Sequence, residues 1–137
     1  MPVAGNAAPP LRIMDLGAGD NSIASAINQR GHVVGQSHYR AFLWRRGQIT
    51  DLGTLGGGYS YATDVNNRDE VVGYSAVADG AIHAFLWRRG VMTDLGVLPG
   101  GDNSYANGIN DRGEVVGSSA TAPDNNSLHA FAGVTVY

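Results

Sequence analysis

The sequence predicts an all-β chain built from about three copies of one four-stranded repeat of roughly 43 residues, and three observations carry that expectation. The segments SIASAINQRGHVVGQS (22–37), SYATDVNNRDEVVGYS (60–75) and SYANGINDRGEVVGSS (104–119) superpose without an insertion. A second block recurs beside them, AFLWRRGQITDLG at 41–53 and AFLWRRGVMTDLG at 84–96, with RIMDLG at 12–17 and HAF at 129–131 as partial copies. Glycine supplies 20 of the 137 residues, many at fixed repeat positions, which suits tight turns between short strands rather than a flexible linker.

Within the first block, Ile23, Ala24, Ile27, Val33 and Val34 flank a short turn and read as a hairpin. Its turn residues are Asn28-Gln29-Arg30-Gly31, then Asn66-Asn67-Arg68-Asp69, then Asn110-Asp111-Arg112-Gly113. Asn at the head and Gly at the end fit a type I turn closed by a left-handed residue. Asp69 stands where the other copies have Gly, so a positive φ is expected there, Asp being among the residues that tolerate it. The next strand is AFLW, whose Phe and Trp share one face because they are two residues apart. RRG then reads as a hairpin turn and (I/M)TDLG as the returning strand. The glycine-rich stretches 54–59 and 97–103 read as connections, and one loop appears at three sizes between the second and third strands of each repeat.

Residues 1–10 read as a flexible tail and 11–137 as a single repeat domain, with repeat cores at 22–53, 60–96 and 104–137 and the strand 11–17 completing a repeat. A 43 % apolar composition suffices for a real core. Without cysteine, neither a disulfide framework nor a thiolate metal site can form. Nine basic against 12 acidic residues, a formal charge of -3 and no basic stripe argue against a nucleic-acid partner. The opening MPVAGNAAPP lacks the basic start and apolar run of a signal peptide, and no membrane span is expected.

RAFLW at 40–44, HAFLW at 83–87, HAF at 129–131, the DLG strings starting at 15, 51 and 94 and the VVGxS runs recur in one order. On these strings the chain, over about 12–131, resembles the HAF repeat family. The resemblance implies a bacterial repeat protein, secreted or displayed at the cell surface, and brings no catalytic residues with it. Arg40 replaces the first His, and Phe131 runs into AGVTVY instead of LWRRG, so the last copy is atypical, as a terminal repeat is.

Four short strands in about 43 residues match a β-propeller blade. Three blades do not close a ring, so the expected architecture is either a six-bladed ring closed by dimerisation or part of a longer ring, with a β-trefoil and then a β-prism as the alternatives. RIMDLG is the fourth strand of a repeat whose first three strands lie near the C-terminus, a usual arrangement for sealing a ring, and a homodimer is the favoured oligomer. The opening strand near Leu11 and Ile13 is expected to meet Val134, Val136 or Tyr137 in the atypical last copy.

The function expected on this basis is a non-enzymatic binding or structural module, with no cofactor or metal. A ligand rim, for a glycan or an anionic group, would comprise Arg45, Arg46, Arg88 and Arg89 as forked donors and Trp44 and Trp87 as flat apolar platforms. The more ordinary reading places these arginines on solvated turns and both tryptophans in the interior, each indole N–H on a carbonyl. His83 and His129 recur without further ligands at metal spacing and are expected to pack beside Phe with a backbone carbonyl as partner. Asp15, Asp51 and Asp94 are symmetry mates expected to accept amides before Gly17, Gly53 and Gly96. Ser22, Ser60 and Ser104 predict one repeated hydroxyl-to-backbone bond, not a nucleophile. The alternative function is a hydrolase with its site at the central channel of an assembled ring. Its signature would be convergence of residues unique to one copy, the candidates being His32, His38, Asp64, Asp79 and Asp124.

Overall fold

The computed structural model describes residues 10–124 and 126–133. All but the last residue of the expected tail over 1–10, and the expected docking of Val134, Val136 and Tyr137, lie outside the described residues. The first repeat comprises β1 (Ile23–Ile27), β2 (Val33–Ser37), β3 (Arg40–Arg45) and β4 (Gln48–Gly53), and the second β5 (Gly56–Val65), β6 (Val71–Val77), β7 (Ile82–Arg88) and β8 (Val91–Asp94). The third supplies β9 (Ser104–Ile109), β10 (Val115–Ala120) and β11 (Leu128–Gly133). Each repeat is its own antiparallel meander, with strand orders β1-β2-β3-β4, β5-β6-β7-β8 and β9-β10-β11. Among the described residues no strand of one repeat pairs with a strand of another, so the shared barrel of a β-trefoil does not form. No helix among them is long and apolar enough to cross a membrane.

The turn chemistry follows the residue types. Asn28 Oδ1 accepts the N–H groups of Arg30 and His32, Asn66 Oδ1 those of Arg68 and Glu70, and Asn110 Oδ1 those of Arg112 and Glu114. Asp69 takes the left-handed conformation expected of it, at φ 57°. In the RRG turns both central residues are left-handed, Arg46 at 50° with Gly47 at 86° and Arg89 at 51° with Gly90 at 84°. These are the dihedral signs of a type I′ hairpin, whose twist matches that of the strands.

The VVG glycines lie inside strands, as VVGxS does in each repeat, and lack a side chain for a packing reason: a Cβ on Gly35, Gly73 or Gly117 would overlap the carbonyl oxygen of Ile23, Tyr61 or Tyr105 on the neighbouring strand. Each lies beside an irregularity in the pairing with that strand, where the backbones approach closely. The stretch 54–59, contrary to expectation, is not all connection, since β5 already begins at Gly56 and the missing side chain of Gly57 lets its backbone lie against Ala76 and Val77. The third repeat also departs from four strands, its fourth being absent among the described residues.

The sheets stack face to face in chain order. Val34, Ala41 and Leu43 of the first sheet meet Val71, Phe85 and Trp87 of the second in one apolar layer, with Met92 packed on it. Val72 and Ala84 on the opposite face of the second sheet meet Ala106 and Val115 of the third, joined by Leu86 and Phe131. Period-2 alternation thus gives the middle sheet two buried faces.

Two polar devices repeat at these interfaces. Ser60 Oγ, fully buried, accepts Ala41 N–H at 2.8 Å and donates to Gly53 O at 2.6 Å, and Ser104 Oγ does the same with Ala84 N–H at 2.8 Å and Gly96 O at 2.6 Å. Ser60 and Ser104 therefore each staple their sheet to the preceding one, as the repeated hydroxyl-to-backbone bond predicts, whereas Ser22 departs from it and donates locally to Gly19 O at 2.7 Å. The second device is a ladder of turns. Asn28 Nδ2 donates to Asn66 O at 2.9 Å and Asn66 Nδ2 to Asn110 O at 3.0 Å. Beside it, Gln29 N–H donates to Asn67 Oδ1 at 2.7 Å and Asn67 N–H to Asp111 Oδ1 at 2.8 Å.

Candidate functional site

The residues singled out in the sequence separate by burial. Trp87 is 6 % exposed and sits in the apolar layer between the first two sheets, so its ring is an interior group and not a platform. Trp44 is half-buried, and its Nε1 has no hydrogen-bond partner among the described residues, contrary to the expected carbonyl contact. Arg45 and Arg88 leave the strand ends exposed but are drawn to carboxylates, Arg45 Nη1 lying 3.7 Å from Asp69 Oδ2 and Arg88 Nη1 3.3 Å from Glu70 Oε2. Arg46 and Arg89 occupy the exposed turns.

Asp15, Asp51 and Asp94 each accept the N–H of the glycine two residues on, at 2.8, 2.8 and 2.7 Å, as their spacing predicts. His83 differs from expectation: its Nδ1 lies 2.8 Å from Asp94 Oδ2 across the β7–β8 pair, so its partner is a carboxylate and not a backbone carbonyl. His129 is exposed on β11.

None of the five catalytic candidates hydrogen-bonds to another. Asp64 accepts Val65 and Ile109 N–H, Asp79 accepts Ala81 N–H, and Asp124 accepts Asn126 N–H. His38 meets Ser37 Oγ, but that hydroxyl is also bonded to Ala18 O, and among the described residues no acid orients the imidazole. His32 is 3 % exposed and bonds to Asp69, with Nδ1 2.7 Å from Oδ1. Asp69 also accepts Asn28 Nδ2 at 2.9 Å, and Arg30 Nη1 lies 3.7 Å from its second oxygen. The one turn that replaces glycine by aspartate is therefore the one whose side chain reaches back to the preceding sheet. Sequence reading found the backbone of Asp69 but missed its partner, because His32 lies 37 residues away in another repeat.

A cavity of about 420 Å³ opens between the second and third sheets. Leu86, Leu95, Leu98 and Phe131 supply apolar walls, and Arg68 and Arg112 stand at the rim. The cavity has a cause in the repeat. Trp87 lies opposite Met92 in the β7–β8 pair and helps fill the first interface. The corresponding position of β11 is Gly133, which faces no fourth strand among the described residues.

A tyrosine cluster also escaped the sequence reading. Tyr61 and Tyr74 stack across β5 and β6 with centroids 5.6 Å apart and planes 6° apart, and Tyr105 meets Tyr74 edge-on at 5.3 Å. All three rings are half-buried. Burial pushes the Tyr74 hydroxyl pKa up, and the neighbouring tyrosines reinforce it. The signal was present as Ser-Tyr at the head of the second and third copies, where the first has Ser-Ile. Among the described residues no three His, Asp or Glu side chains gather as a metal-holding group.

No protein-family model matches the chain, and neither a curated protein nor a solved structure matches it.

Proposed function

We propose that the chain is a non-enzymatic repeat module, for binding or for structure, whose three sheets are propeller-type blades that two copies join into a six-bladed ring. The observation that carries this reading is the turn ladder. Asn28 and Asn66 each donate to the Asn carbonyl of the following repeat, and Asn66 Nδ2 does so while also donating to Glu70 Oε1 in its own turn at 2.7 Å; Asn110 Nδ2 makes the equivalent own-turn bond to Glu114 Oε1 at 2.8 Å and meets no following repeat among the described residues. A further blade of the same sequence fits that end by the same two devices, the amide ladder and the serine staple. Export or surface display, as in the HAF repeat family the motifs resemble, belongs to the same proposal.

Replacing Asn110 by Asp tests it, because Oδ1 is kept for the turn while the amide donor is lost. Sedimentation is expected to show the two-chain species weakened by about thirtyfold, the effect of two hydrogen bonds of about 1 kcal/mol each, one at each joint of the ring. Unchanged association of the variant would contradict the ladder as the joining element.

A glycan reading is favoured by one observation, the half-buried tyrosine cluster. Aromatic faces with hydroxyls at their edges suit sugar rings, which are apolar on one face and polar at the rim. A glycan array with wild-type protein and Tyr74→Ala is expected to show binding that the substitution abolishes. Equal profiles for the two proteins, or none for either, would remove this reading.

A further inference from the structure

Among the described residues the third sheet ends at β11, where its two counterparts each carry one more strand, β4 or β8. Residues 12–17, RIMDLG, align with QITDLG of β4 and with VMTDLG, which begins β8. Yet they belong to no strand, and the side chains nearby are fully in solvent, Leu11 at 102 % and Ile13 at 105 % of reference exposure. A segment with the sequence of a fourth strand, without a sheet, thus coexists with a sheet that has no fourth strand among the described residues.

We infer that residues 11–17 of one copy add to the β11 edge of a second copy as its fourth strand. The register follows from the second repeat. Phe85 pairs with Asp94, Leu86 with Thr93 and Trp87 with Met92, which place Asp15 opposite Phe131, Met14 opposite Ala132 and Ile13 opposite Gly133. Met92 packs on the apolar layer between the first two sheets, so Ile13 enters the cavity between the second and third sheets, next to Phe131 and Leu86. Asp15 already carries the turn bond to Gly17 N–H that Asp94 carries to Gly96, and its carboxylate reaches His129 as Asp94 reaches His83. Ser22, now bonded locally to Gly19 O at 2.7 Å, becomes the staple that accepts Ala130 N–H of the other copy, as Ser60 accepts Ala41 and Ser104 accepts Ala84. Strand addition also covers a sheet edge that otherwise invites unspecific pairing.

This inference rests on the ring reading, and a cysteine pairing experiment separates the two. The chain has no cysteine, so single replacements report without background. Met14→Cys and Ala132→Cys chains, both altered at exposed sites, are mixed and oxidised, and the products are resolved by mass. Directly opposed residues of an antiparallel pair lie within disulfide reach. The mixed disulfide is expected at least about tenfold faster than with Ala78→Cys in an exposed loop as partner, reflecting the raised effective concentration in a docked strand. No preference for Ala132 over Ala78 overturns strand donation. If the wild-type protein then still has the mass of two chains, the ring reading stands without the exchange; the mass of one chain overturns both.

Discussion

At the residue scale, two kinds of side chain do most of the specifying, and both act through the backbone. Ser60 is completely buried and satisfies the Ala41 N–H and the Gly53 carbonyl together. Ser60→Ala leaves these groups unpaired and is expected to cost about 1–3 kcal/mol, whereas Ser22→Ala, which removes one local bond, stays within about 0.5 kcal/mol in the unassociated chain. Urea denaturation of both variants checks the difference, and equal losses would contradict the staple. Asp111 gives a pH-dependent counterpart. It accepts both the N–H and the side-chain amide of Asn67, and these bonds hold its carboxyl below the usual carboxylate range. Because the folded pKa is the lower one, this contribution is present above the unfolded carboxylate pKa and lost as pH falls through the folded value. Asp111→Asn is therefore expected to flatten the acid limb of a plot of unfolding midpoint against pH; an unaltered limb would show that the ladder contact does not contribute.

At the scale of elements, burial on both faces makes the middle sheet the mechanical centre of the molecule. Trp87 packs with Phe85, Leu43 and Leu52 between two sheets, and Trp87→Ala is expected to cost roughly 3–5 kcal/mol. Arg88, exposed and paired with Glu70, is expected to cost about 0.5 kcal/mol on truncation to Ala. Chemical denaturation ranks the two, and comparable small losses would contradict the interior placement of Trp87. Much of this layer was legible in the sequence, since Phe and Trp two residues apart share a strand face and the Asn-x-x-(Gly/Asp) turns have one dominant geometry. The VVG glycines were not. Their role depends on a carbonyl of the neighbouring strand that closes in where the register slips, and a one-strand pattern carries no sign of that. The same holds for His32 with Asp69 and for Tyr74 with Tyr105, pairs made by stacking different repeats.

At the scale of the whole molecule, the chain is a directional stack: staple, ladder and apolar layer each run from one sheet to the next in chain order. The repeat count and the all-β class were readable directly because copies without insertions must fold alike. Stacking in place of a trefoil barrel was not, since both use about four strands per repeat and differ only in which strands pair. A head-to-tail joint of the proposed ring would set the Asn28 carbonyl at one end of the stack, which accepts Gly31 N–H at 3.1 Å within its own turn, against the Asn110 amide at the other, which donates to Glu114. The most direct test of the proposed ring is the solution mass of the wild-type protein, measured by light scattering across a wide concentration range. A stable particle of twice the 14.3 kDa chain mass is the expected result. A single-chain mass at every concentration, or a ladder of species growing without limit, would contradict closure by two copies.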